Sequence, residues 1–159
     1  MDIKSLDISH LTPRLRQIPD APSKIFIRGE LFTNDEPAIA IVGTRKATAQ
    51  GLRMAREIAG ELSNKGIIIV SGLAMGIDTA AHEGALSVGG KTVAVLGNGL
   101  DKIYPAQNQN LAEEILNKGG AIVSEYEAGT PSFKQNFIQR NRIISGLSLA
   151  VIVVEAPER

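Results

Sequence analysis

At 159 residues, 43% of them apolar and 21% charged, the chain has the size and composition of a single packed domain, which excludes a fibrous or disordered protein. Lys plus Arg and Asp plus Glu both number 17, so no bulk positive field favours a polyanion, and any nucleic-acid site has to be a local patch. Cysteine is absent, which removes disulfides, thiolate nucleophiles and Cys-based zinc; with only His10 and His82 as imidazoles no metal is expected, and because the common dinucleotide and P-loop motifs both fail no cofactor is expected either.

In chain order, residues 1–24 carry Pro13, Pro19 and Pro22 without a sustained period, and an irregular N-terminal arm is expected there. Asp2, Lys4 and Asp7 interrupt any apolar leader and the longest apolar runs are strand-sized, so no membrane span and a cytoplasmic location are expected. Residues 25–159 then read as one domain. Lys24 to Gly29 is a candidate short strand, and Ala38 to Val42 a buried one. Gly43 leads into a helix from about Thr48 to Asn64, whose Leu52, Ala55, Ala59 and Leu62 share one face. A second core strand is expected over Ile67 to Val70, and a helix capped by Asp78 or Thr79 and stopped by Gly89-Gly90 follows it. Thr92 to Leu96 is the third strand. Asn108 caps the next helix, which runs to about Lys118, and Ala121 to Ser124 is the fourth strand. A helix around Asn136 to Ser145 leads to the fifth, Leu149 to Val154. Short β-branched runs alternating with amphipathic stretches predict an α/β fold: a doubly wound, mainly parallel sheet with helices on both faces. Because the chain stops soon after its last strand, the domain is expected to be incomplete at its C-terminal end.

In open parallel sheets, ligands bind beyond the carboxyl ends of the strands, where Gly43, Gly72 and Gly97 follow three of them. Glycine there admits close approach of backbone N–H groups to a phosphate, and a following helix start adds partial positive charge. Thr44, Arg45 and Lys46 extend the first such loop, and Gly99 and Lys102 the third. Two common phosphate motifs fail. Lys102 replaces the third glycine of a dinucleotide fingerprint, and the Gly-Lys-Thr at Gly90 to Thr92 leads from helix to strand, the reverse of a P-loop. Asp78 and His82, four apart on one helix, are the best acid–base pair, but a capping Asp followed by a structural His reads the same way. Lys134, Phe137, Arg140, Asn141 and Arg142 interleave cations and an aromatic ahead of the last strand, as sequence-tolerant single-strand binding requires; core phenylalanines on a solvated basic helix give the same pattern.

Ile41 to Arg45, Ser71 to Asp78 with Ala81-His82, Val95 to Asp101 through Tyr104-Pro105, Ser124-Glu125-Tyr126, Gly129-Thr130-Pro131, Phe137 with Arg140 to Ser148, and Val153 to Ala156 together resemble the DprA/Smf DNA-processing family. The resemblance covers about Arg14 to Glu158. It implies a Rossmann-like DNA-binding domain over residues 25–159. It also implies a non-enzymatic recombination mediator that protects single-stranded DNA and helps load a RecA-type recombinase in natural transformation. In the family, Arg45, Lys102, Lys134 and Phe137 correspond to the DNA-binding loop residues. Homodimerisation and recombinase contact map to a region later than this chain reaches. Met75 and Ile138 depart from the usual arginine and proline. The alternative is a Rossmann-type nucleoside-monophosphate-binding protein or a phosphoribohydrolase-like enzyme.

Overall fold

In the computed structural model, which describes residues 2–33 and 35–157, the strands are β1 (Lys4–Asp7), β2 (Lys24–Gly29), β3 (Ala38–Val42), β4 (Ile68–Ser71), β5 (Thr92–Val95), β6 (Ala121–Ser124) and β7 (Ala150–Val153). The helices are α1 (Pro13–Arg16), α2 (Ala49–Asn64), α3 (Ile77–Ser87), α4 (Gln109–Asn117) and α5 (Lys134–Gly146). All seven strands join one sheet in the order β1-β2-β6-β5-β4-β3-β7. The five from β6 to β7 are parallel, and β2 and β1 extend the sheet antiparallel beyond β6.

Alternation along the strands sorts the core into two layers, because successive side chains point to opposite faces. Ala38, Ala40, Ile68, Val70, Val93, Val95, Ala121 and Val123 face one way, onto Leu15 of α1 and Ile143, Ile144 and Leu147 around the end of α5. Ile41 and Ile69 face the other way, onto α2 and α3, and Ala94 and Ile122 onto α4. The chain therefore steps from β3 to β6 with its helices on one face, then crosses the opposite face through α5 to set β7 beside β3. That reversal creates a crevice at the carboxyl ends of β3 and β7.

The N-terminal segment differs from expectation. Instead of an irregular arm, it pairs β1 with β2, from Lys4 opposite Ile27 to Asp7 opposite Lys24, and adds α1. Thr12 caps α1 by accepting from the Leu15 N–H, and Pro13 occupies its first turn. A four-residue strand and a four-residue helix are too short to display a period, so the prolines are the stronger signal in this stretch of sequence. Elsewhere element bounds shift by a residue or two. The cap of α3 is a further correction: Gly76, not Asp78 or Thr79, precedes its first residue. The Asp78 carboxylate lies in the first turn and accepts N–H bonds from Gly72 and Ala74 of the loop before it.

Candidate nucleic-acid interface

The loops after β3, β4 and β5 meet at one edge of the sheet. In the first, the Thr44 N–H donates to the Glu155 carbonyl at 2.7 Å and the Thr44 carbonyl accepts from Ile77 at 3.2 Å, tying the ends of β3, β7 and α3 together. The Thr44 hydroxyl accepts from the Lys46 N–H, so it holds the turn and leaves the Arg45 and Lys46 side chains exposed. Gly76 closes this contact from the other side: its φ of +85° suits glycine, and a Cβ there would collide with the Thr44 carbonyl. Glu155 also accepts from Thr48 through both backbone N–H and hydroxyl, at 2.9 and 2.7 Å, and these bonds hold its carboxyl below the usual glutamate range.

Beneath these loops lies a buried ion. Arg140 is 6% exposed, and its Nη1 donates to the carbonyls of Gly72 and Val95 at 2.9 and 2.8 Å. Its Nε donates to Asn141. The neighbouring Asp78 is 4% exposed. Burial pushes the Asp78 pKa up, with the Arg140 charge opposing it, and the same burial lowers that of Arg140. Gly72 has no side chain because Arg140 and Asp78 fill that space; a Cβ would stand 2.6 Å from Arg140 Nη1. This changes the role expected of the glycine: close approach at Gly72 is made by the protein's own side chains.

Phe137 sits above this pair, half-buried on α5. Its ring lies against Gly97, with the Arg45 guanidinium 5.2 Å and the Arg140 guanidinium 5.6 Å from its centroid. Tyr104 is 5.5 Å away, its plane tilted by 37°. Gly43, Arg45, Lys134, Phe137, Arg140 and Asn141 line a cleft of about 860 Å³, whose apolar wall includes Val151 and Val153 of β7.

The remaining sequence-predicted positions fall elsewhere. Gly97 packs under Phe137, and Gly99 backs onto the Glu127 carbonyl. Lys46 and Lys102 are exposed but do not line the cleft. Arg142 is already committed: it grips both Glu125 oxygens at 2.7 Å and pairs with Asp20 at 3.3 Å, so its expected phosphate role gives way to a structural one. Arg140 is likewise engaged, by the Gly72 and Val95 carbonyls and Asn141. The Asp78–His82 pair is also divided. His82 Nδ1 bonds the Thr92 hydroxyl at 2.7 Å, whereas Asp78 serves the β4 loop. The cleft's principal unforeseen member is Tyr104, which an exposed aromatic on the third glycine loop signals in the sequence. Among the described residues, no three His, Asp or Glu side chains are placed to hold a metal, and no helix is long and apolar enough to cross a membrane.

The family described as DNA recombination-mediator protein A matches residues 6–159. The chain belongs to this family. It is similar to Protein Smf of Escherichia coli: 44% identical over 153 residues, covering 96% of this chain and 41% of that protein. DNA processing protein A from Streptococcus pneumoniae is 42% identical and superposes with a TM-score of 0.88, over 99% of this chain and 56% of its own. DNA processing protein A from Helicobacter pylori, described for its single-stranded DNA binding mode, is 32% identical with a TM-score of 0.86, over 99% of this chain and 71% of its own. The chain thus spans less than two thirds of the Smf and pneumococcal proteins.

Proposed function

We propose that this chain binds single-stranded DNA in the cleft at the carboxyl edge of its sheet, as part of a cytoplasmic recombination mediator. In this reading it protects DNA and helps load a RecA-type recombinase during natural transformation, with no catalysis of its own. One observation carries it: the Arg45 guanidinium lies 5.2 Å from the Phe137 ring at the mouth of a cleft that Lys134 also lines. Exposed cations hold phosphates, and aromatic rings exposed in the same cleft accept bases whatever the sequence. The single-strand binding of the Helicobacter pylori relative supports the assignment. Recombinase loading and homodimerisation are proposed from family membership alone.

The enzymatic alternative draws no support from the site. Asp78 lines the cleft but is only 4% exposed and holds the Gly72 and Ala74 N–H groups, whereas His82 is fully buried against Thr92, so the two serve different partners. The test is binding of a dT oligomer, AMP and ATP at two salt concentrations, with Arg45→Ala alongside. Salt-sensitive oligomer binding without mononucleotide turnover is expected. Arg45→Ala should weaken binding and reduce the slope of log K against log salt by about 1, as loss of one phosphate contact requires. Equal affinity of the variant at low salt removes Arg45 from the interface, and release of free base from a nucleoside monophosphate overturns the reading.

A further inference from the structure

The more exposed aromatic ring in this cleft is Tyr104, not Phe137. Phe137 is half-buried and has two guanidinium groups over it, from Arg45 and Arg140. Tyr104 is 44% exposed, and among the described residues no cation stands over it. Its only aromatic neighbour there is the tilted Phe137 ring. Tyr104 lines both the main cleft and a smaller adjoining recess of about 70 Å³ shared with Arg45, Gly72 and Met75.

An exposed ring on a mobile loop would cost conformational entropy when a base settled on it, but this loop is fixed on both sides. Before Tyr104, Leu100 and Ile103 are buried, and Asn98 Nδ2 donates to the carbonyls of Gly99 and Lys102 at 3.0 and 2.9 Å. After it, Asn108 Nδ2 donates to the Leu73 carbonyl at 2.8 Å and the Thr79 hydroxyl at 3.0 Å. Burial thus anchors the backbone and leaves the side chain out. Packing needs do not account for that combination; a preorganised aromatic platform does.

We propose that Tyr104 is the base-stacking platform of the cleft, receiving one nucleobase on its exposed face while Arg45 and Lys134 hold the adjoining phosphates. Phe137 then serves chiefly to seat Arg45. This assignment rests on the single-stranded DNA reading above.

The chain contains two tyrosines and no tryptophan, so Tyr126→Phe leaves Tyr104 as the sole tyrosine reporter. In that background, tyrosine emission should be quenched by a dT oligomer and not by an abasic oligomer of equal length. Tyr104→Ala should weaken dT binding on the order of tenfold, the loss of one stacked base, while Tyr104→Phe stays within about twofold. The salt slope should not change, and wild type and Tyr104→Ala should bind the abasic oligomer alike. Wild-type dT binding with no loss in Tyr104→Ala, an equal loss on the abasic strand, or no quenching on dT binding overturns the Tyr104 assignment alone. Failure of the wild type to bind dT at low salt overturns the DNA reading on which it rests.

Discussion

Phe137 shows why a residue's type says less than its neighbours. The ring fills the space left by Gly97, where a Cβ would approach Cδ1 to 3.1 Å, and offers its π face to Arg45. Leucine keeps most of the bulk and removes the π face, which at a partly exposed site is worth roughly 0.5–1 kcal/mol. Phe137→Leu is therefore expected to weaken dT-oligomer binding several-fold in a titration while the melting temperature moves by only a few degrees. A large fall in melting temperature with unchanged affinity would make Phe137 a core residue. Of the thirteen positions singled out in the sequence, Arg45, Lys134 and Phe137 were legible because a glycine turn or a helix start at the carboxyl edge of a parallel sheet must face the crevice. Arg140 and Arg142 were not separable by pattern. Two arginines two apart point to different sides of a helix, and only the packed structure shows that one finds the ends of β4 and β5 and the other Glu125.

At the level of elements, α5 both covers one sheet face and carries Lys134, Phe137, Arg140 and Asn141 of the cleft. Its apolar residues Ile143 and Ile144 dock it, but Arg140 sets its position against the carboxyl ends of β4 and β5. Arg140→Met keeps the aliphatic stem and removes the charge. It leaves two carbonyls without that donor and removes the charge that opposes the rise in the Asp78 pKa, a loss of about 1–3 kcal/mol for each buried group left unsatisfied. The urea midpoint is expected to fall accordingly with an unchanged m-value, and adding Asp78→Asn should recover part of the loss. Equal stability of Arg140→Met and wild type would show that Ile143, Ile144 and Leu147 alone fix α5. The sequence displayed the five parallel strands and four long helices, since each has enough residues to express its period. It did not display β1 or α1, whose places depend on pairing with β2 and on Leu15 reaching the α5 layer.

Over the whole molecule, 17 acidic and 17 basic side chains cancel, so neither a global field nor a global charge imbalance dominates its response to pH. Beside Asp78 and Arg140, one further buried ionisable group bears on that response. His82 is fully buried between α3 and the sheet; the Thr92 hydroxyl donates to the Ile69 carbonyl at 2.7 Å, so it accepts from Nδ1–H, and His82 Nε2 has no partner among the described residues. Burial, with the Arg140 charge adding to it, lowers the imidazole pKa from 6.5 to about 3. The sign follows from linkage. Between those two values the unfolded chain binds a proton that the folded chain refuses, so stability rises with pH there and is indifferent to this group above about pH 6.5. Acidification below pH 6.5 should cost about 1.4 kcal/mol per pH unit from His82, on top of whatever the carboxylates contribute. In His82→Leu the absolute stability at pH 7 falls through loss of the Thr92 contact, but this proton is no longer taken up on unfolding. Denaturant melts of both proteins from pH 7.5 to 5 separate the two effects: the difference in stability should narrow as pH falls, and parallel curves would show that His82 is not the group that acid attacks.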